Sequence, residues 1–216
     1  KEYIEIQKYA FRKYKIKTVE NKHTHLVPEE LEQLERLSLT GKHMKLQKSL
    51  DAFLFCCYAG MRYSDFTNLS KKNIVDINQE TWLIYKSVKT GTEVRLPLYL
   101  LFAGKGIVIL NKYRNNLEDF FRLRDNSNIN KDLIIIAKLA GLSKKISFHT
   151  ARHTNATLLI YNGVNITTVQ KLLGHKSVKT TQVYTNIMDM TIVHDLEKMK
   201  QAALGIKKKT DNSFNK

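Results

Sequence analysis

Apolar residues in this chain recur mostly at helical spacing, with one short region of strict alternation. The first helical block follows Pro28, where Leu31, Leu34 and Leu37 share a face behind Glu29 and Glu30. Proline and acids in a first turn suit a helix N-terminus. A second helix is predicted from about Met44 to Tyr58, apolar nearly all round after Ser49 and therefore central to a core; Ala59-Gly60 ends it. Ser64 is placed to cap a short helix through Leu69.

Between residues 81 and 97 the period changes. Trp82-Leu83-Ile84-Tyr85 and Val94-Arg95-Leu96-Pro97 flank Lys89-Thr90-Gly91-Thr92, which predicts a hairpin with a glycine turn. Val75-Asp76-Ile77 is a candidate third strand. Helical spacing returns from Tyr99 to about Arg124, as one or two helices with limits blurred by Gly104 and Gly106, and again from Asn130 to Ala140, closed by Gly141. Ser147 is expected to cap a helix over His149 to Tyr161, Asn165 one over Ile166 to Leu173, and Ser177 one that carries Tyr184. Asp189 to Leu204 reads as a last amphipathic helix. The expectation is a mainly α protein with a small antiparallel β-sheet (α+β). Residues 1–27 read as a linker, 28–204 as one domain, and 205–216 as a basic flexible tail.

Composition narrows the partner. The 216 residues suffice for one sizeable core, and 43% of them are hydrophobic. Lys and Arg outnumber Asp and Glu to give a formal charge of +16, which favours a polyanion: nucleic acid or an anionic membrane surface. No apolar run approaches the roughly 18 residues of a spanning helix, and no signal-peptide core follows the basic start Lys1 to Lys17. Nucleic acid is therefore the expected partner, with no membrane. Cys56 and Cys57 are adjacent, which suits buried free thiols in a reducing cytoplasm.

The candidate chemistry lies in a few short strings. Arg62 sits in Gly60-Met61-Arg62-Tyr63-Ser64-Asp65, just past the turn that ends the central helix. Asp65, one helical turn on, can hold its guanidinium; otherwise Arg62 is an ordinary surface residue. Arg152 is expected in the first turn of its helix, where free N–H groups and the dipole favour an anion, and where a guanidinium adds bidentate phosphate contacts. Its plainer role is as partner to a carboxylate such as Asp195. His149 and His153, one turn apart, could suggest a metal pair, but no Glu follows His149, no Cys cluster is near, and Arg152 would repel a cation. No metal or cofactor is expected. His175 follows a glycine-ended helix, where a surface histidine is common. Tyr184 is one of ten tyrosines. A free phenol, with a pKa of about 10, is a poor nucleophile unless nearby cations stabilise the phenolate. Arg62, Lys89, Arg152 and His175 are the candidates to supply them.

Together, His149-Thr150-Ala151-Arg152-His153, then Leu173-Gly174-His175, then Tyr184 make the pattern H-x-x-R-H…L-G-H…Y. This resembles the C-terminal motif of the tyrosine recombinase (phage integrase) family, and Gly60 to Asp65 resembles that family's first arginine box. The match runs from about Pro28 to Tyr184 and looks nearest to integrases of bacterial mobile elements. It implies the tyrosine recombinase catalytic-domain fold and a DNA recombination reaction without metal or ATP. The implied roles are phosphate binding for Arg62 and Arg152, acid/base or phosphate binding for His149, a site role for His175, and the nucleophile for Tyr184. A hairpin lysine would protonate the leaving 5′-hydroxyl; Lys89 is favoured over Lys86. Asp65 and His153 are supporting residues. The implied partners are double-stranded DNA and other copies of the chain in a tetramer on DNA, in the cytoplasm with the bacterial nucleoid.

Two departures stand out. Asn155 replaces a common aromatic, which is expected to loosen packing behind the site. Residues 1–27 are too short for the family's separate core-binding domain, so the resemblance implies a catalytic fragment of a longer integrase, with weak and salt-sensitive DNA binding. Two other readings stay open: a type IB topoisomerase, and a catalytically silent DNA-binding module of the same fold.

Overall fold

A central helix, α2 (Gln47–Ala59), is covered on all sides because its sequence offers no polar face: every residue from Ser49 to Ala59 is buried. The computed structural model describes residues 24–184 and Lys200. Around α2 lie α1 (Pro28–Glu35), α3 (Tyr63–Thr67), α4 (Lys105–Lys112), α5 (Leu117–Phe121), α6 (Asn126–Leu139), α7 (Phe148–Tyr161), α8 (Ile166–Leu173) and α9 (Lys179–Gln182). The principal partner of α2 is α7, itself buried from Thr150 to Ile160. Phe66 joins the layers, its ring lying 5.3–6.1 Å from those of Phe55, Phe120, Phe121 and Phe148.

Three antiparallel strands, β1 (Ile74–Ile77), β2 (Glu80–Lys86) and β3 (Glu93–Pro97), form one sheet in sequence order. Asn78 and Gln79, both at positive φ (53° and 65°), turn β1 into β2, as a two-residue hairpin requires. The alternation along β2 sets its faces. Leu83 and Tyr85 are buried opposite Leu96 and Val94, while Lys86 is exposed. The mainly helical fold with a small antiparallel sheet is therefore as expected.

Several boundaries differ from the sequence reading. Residues Gly41–Leu46 form a 3₁₀ turn ahead of α2, so Met44 stays 65% exposed and outside the α-helix. Arg62, not Ser64, occupies the N-cap of α3. The stretch after Tyr99 is broken by Phe102, Ala103 and Gly104 at φ 48°, 53° and 73°, a left-handed run that no continuous helix accommodates. α6 starts earlier than Asn130, because the Asp125 side chain accepts the Asn128 N–H at 3.1 Å. α9 ends at Gln182, so Tyr184 lies in the turn beyond it; Ser177 Oγ does accept the Lys179 N–H, at 3.3 Å. Leu26, assigned to the linker, is fully buried, and its N–H donates to Thr154 Oγ1 of α7 at 3.0 Å, so packing begins ahead of Pro28. The helix expected over Asp189 to Leu204 and the basic tail lie outside the described residues, apart from Lys200. Among the described residues, no helix is long and apolar enough to cross a membrane.

Candidate active site

Two helix ends, one helix and one hairpin converge on Arg152. The chain leaves α2 through Gly60 (φ 67°) and leaves α8 through Gly174 (φ 63°), both left-handed, which glycine alone adopts at little cost. Both turns are tight. A Cβ on Gly60 would lie 2.6 Å from Asn155 Oδ1, and one on Gly174 would lie 2.6 Å from Val94 Cγ2. Arg152 is 1% exposed and donates to Gly60 O at 2.8 Å and to Leu173 O at 2.6 Å. Carbonyls at two helix C-termini, each at the negative end of a dipole, thus hold the buried guanidinium. Burial, and then the neighbouring Arg62, push its pKa down to about 10, so it remains a cation at neutral pH. This differs from the sequence reading in two ways. Arg152 lies in the second turn of α7, not the first, and backbone carbonyls rather than a carboxylate anchor it among the described residues.

Asn155, one turn further along α7, is 2% exposed and donates to Cys57 O at 2.9 Å and Tyr58 O at 3.0 Å. These are carbonyls of the last turn of α2, which have no partner within the helix. Far from loosening this region, Asn155 fastens the end of α2 to α7, which an aromatic could not do.

Arg62 follows Gly60 directly. Its Nη1 lies 3.4 Å from Asp65 Oδ2, the pairing expected from their spacing, and donates to Ser87 Oγ at 3.2 Å. Asp65 is 1% exposed; its Oδ1 accepts the Val88 N–H at 2.8 Å. The carboxylate therefore ties Arg62 to the base of the β2–β3 hairpin. Lys89 is exposed near the tip of that hairpin, and Thr90 Oγ1 donates to Gly174 O at 3.2 Å, which seats the tip beside His175. Lys86 lies on the outer face of β2, alternate to Tyr85 and Ser87.

His175 is buried, with Nδ1 2.9 Å from Thr181 Oγ1. Burial, then the charges of Arg152, Arg62, His149 and Lys89, push its pKa down to about 3. It is therefore neutral at pH 7 and drops out of the expected set of cations, leaving it as a hydrogen-bonding group. His149 is exposed and packs edge-on against His153, ring centres 4.4 Å apart. His149 and His153 also line an open cleft of about 500 Å³ with Lys131, Lys145 and Ser147.

Tyr184 is 6% exposed, its Oη 3.1 Å from His153 Nδ1. Burial raises its pKa, and Arg152 and Arg62 pull it back down. The six candidates thus share one charge neighbourhood, with Asp65 in contact with Arg62, and His153 with His149 and Tyr184. Ser87, Asn155 and the contact of His153 with Tyr184 were not found from sequence. Ser87 carried a faint signal, a small polar residue in phase with the buried face of β2.

The chain is 30% identical over 181 residues to a tyrosine recombinase of Pseudothermotoga lettingae, covering 82% of this chain and 60% of that protein. The crystal structure of XerA recombinase superposes with a TM-score of 0.62 at 24% identity, covering 82% of this chain and 65% of the other. A lambda integrase tetramer bound to a Holliday junction gives a TM-score of 0.60 at 20% identity, over 74% of this chain and 47% of the other. The chain spans about 60% of the length of the curated relatives it matches. A family model, that of the phage integrase family, matches residues 25–190, and the chain belongs to that family.

Proposed function

We propose that this chain carries the catalytic centre of a site-specific DNA recombinase that cuts and rejoins DNA through Tyr184. The observation that carries the reading is a buried arginine, Arg152, held by carbonyls at two helix ends, and a half-buried one, Arg62, held by Asp65 and Ser87, both within the charge neighbourhood of Tyr184. A buried arginine costs desolvation energy, and a second cation beside it adds repulsion. A phosphate placed between Arg62 and Arg152 offsets both, and the charge developing in a pentavalent phosphorane does so more strongly.

In the proposed reaction the Tyr184 oxygen attacks the phosphorus of a DNA phosphodiester. The new P–O bond makes a 3′-phosphotyrosyl ester, the P–O5′ bond breaks, and a 5′-hydroxyl leaves. The phenol proton departs, with His153 against Tyr184 Oη and His149 beyond it as the nearest bases, and Lys89 supplies the proton that the 5′-oxygen takes up. His175, neutral, donates a hydrogen bond to a non-bridging oxygen. A second strand's 5′-hydroxyl then reverses the step. One ester replaces another, so bond energy is retained and ATP is not needed. Double-stranded DNA is the partner, in keeping with the +16 charge, and strand exchange takes place in a tetramer, as the lambda integrase relative's tetramer on a Holliday junction supports.

The test incubates the chain with a pool of nicked duplexes of randomised sequence. Nicking beside the cut lets the short product diffuse away and strands the covalent intermediate. A slow-migrating adduct on a denaturing gel, absent for Tyr184→Phe, is expected. No adduct from the unmodified chain overturns the proposal and favours a DNA-binding module. Adduct with supercoil relaxation but no strand exchange favours a topoisomerase.

A further inference from the structure

Tyr85 carries a hydroxyl that the reaction above does not use. The residue is 5% exposed, and its Oη meets no hydrogen-bond partner among the described residues. A buried hydroxyl left unmade is costly, and phenylalanine would fill the same space without that cost. The only other such atom among them, Thr157 Oγ1, belongs to a residue lining a separate apolar groove beside His25 and Pro28.

The position of Tyr85 indicates what its hydroxyl can serve. On β2 it shares the buried face with Ser87, two residues on, and successive residues of one strand face are roughly 6–7 Å apart, within the reach of a tyrosine side chain. Ser87 Oγ donates to Asp65 Oδ2, and the cross-strand neighbour of Tyr85, Val94, packs on Gly174. Tyr85 thus lies on the strand face that borders the Asp65 carboxylate, within reach of the charges of Asp65 and Arg152. Burial, and then the Asp65 charge, raise the Tyr85 phenol above its ordinary range, while Arg152 and Arg62 oppose them.

The two oxygens of Asp65 are held unequally. Oδ1 has a firm partner in the Val88 N–H at 2.8 Å; among the described residues Oδ2 has only Arg62 Nη1 and Ser87 Oγ, each at 3.4 Å. If Arg62 turns toward a phosphate, a carboxylate that is 1% exposed loses its cation. An uncompensated buried charge is strongly unfavourable. We propose that Tyr85 is a positioning residue: as Arg62 engages a DNA phosphate, the Tyr85 hydroxyl donates to Asp65 Oδ2 and takes the place Arg62 leaves. This rests on the phosphate-binding reading of Arg62. It makes Tyr85 and Asp65 a pair that frees Arg62 without disordering the hairpin that bears Lys89.

The experiment compares Tyr85→Phe, Asp65→Asn and the double variant with the unmodified chain on the nicked randomised pool. It reads thermal midpoint, non-covalent affinity by anisotropy, and single-turnover adduct formation. Tyr85→Phe is expected to be no less stable, because no hydrogen bond of the free protein is lost, and to bind within about twofold, because affinity for random duplex sums phosphate contacts over the whole surface and does not need Arg62 to turn. Its adduct forms about tenfold more slowly, the effect of one hydrogen bond to a charged group. In the Asp65→Asn background the same substitution has little further effect. Adduct formation by Tyr85→Phe at the unmodified rate, or effects that simply multiply, overturns the inference while leaving the Tyr184 reading in place. No adduct from the unmodified chain removes that reading and this inference with it.

Discussion

Replacing Gly60 with alanine is expected to damage fold and site together, and the size of the effect can be worked from the structure. Gly60 sits at φ 67°, where an L-residue carries about 1–2 kcal/mol of strain. The new methyl would lie 2.6 Å from Asn155 Oδ1 and 2.8 Å from Leu173 Cδ2, closer than such atoms approach. Asn155 can retreat only by giving up its bonds to Cys57 O and Tyr58 O, and each buried polar group left unpaired costs about 1–3 kcal/mol. With the two carbonyls left unpaired the total is about 3–8 kcal/mol, a large part of the stability of a domain this size. At roughly 2–4 °C per kcal/mol the melting midpoint falls by roughly 6–32 °C. The carbonyl of Gly60 itself holds Arg152, so DNA cleavage at a temperature where the variant is folded should fall as well. Differential scanning calorimetry gives the first number and covalent trapping the second. The reasoning also requires Gly60→Ala and Asn155→Ala together to cost less than the sum of their separate effects, because the clash and the lost bonds involve one side chain. A midpoint within about 3 °C of the unmodified protein, or full additivity, refutes it.

Further expected outcomes concern charge and titration. Arg152→Lys keeps a cation but not the two-carbonyl anchor, and cleavage should drop about 10²–10³-fold, as for loss of one preorganised donor. Because lysine starts below arginine and the site pushes a buried cation's pKa down, residual cleavage by the variant should fade at a lower pH than that of the unmodified chain, which a pH–rate profile would show. His175 titrates at about 3 when folded and near 6.5 when unfolded, so the unfolded chain binds the proton first. Stability is therefore lost as pH falls from 6.5 toward 3, and urea midpoints of His175→Asn should decline less steeply across that window. Binding to a random-sequence duplex, followed by anisotropy, should weaken tenfold or more between about 50 and 200 mM salt; a flat response would argue against phosphate contacts.

Much of the helical framework was legible because it rests on local signals. Ser147, Asn165, Gly60 and Gly174 mark helix ends by capping and left-handed chemistry that a short window contains, and the alternation at Leu83 and Tyr85 does the same for β2. The break at Phe102 and Ala103 was not legible, since neither residue favours positive φ and only tertiary packing holds them there. At the site, residue types and order brought Arg62, Arg152, His175 and Tyr184 to notice, but not their states. That Arg152 is gripped by the carbonyls of Gly60 and Leu173, 92 and 21 residues away in sequence, depends on how α2 and α8 end against α7. The neutrality of His175 follows from burial and then from the charges of Arg152 and Arg62, a property of the assembled fold. Asn155 was read by likeness as a weak point, whereas its amide ties α2 to α7.

The most direct test of the central claim is the identity of the residue joined to DNA. The adduct formed on a nicked duplex would be digested with nuclease and protease, and the nucleotide-bearing peptide sequenced by tandem mass spectrometry. The expected result is a nucleotide linked through a 3′-phosphate to the phenolic oxygen of Tyr184, and none elsewhere. A nucleotide on another of the chain's tyrosines, on a serine, or on no residue at all would contradict the assignment of Tyr184 as the nucleophile.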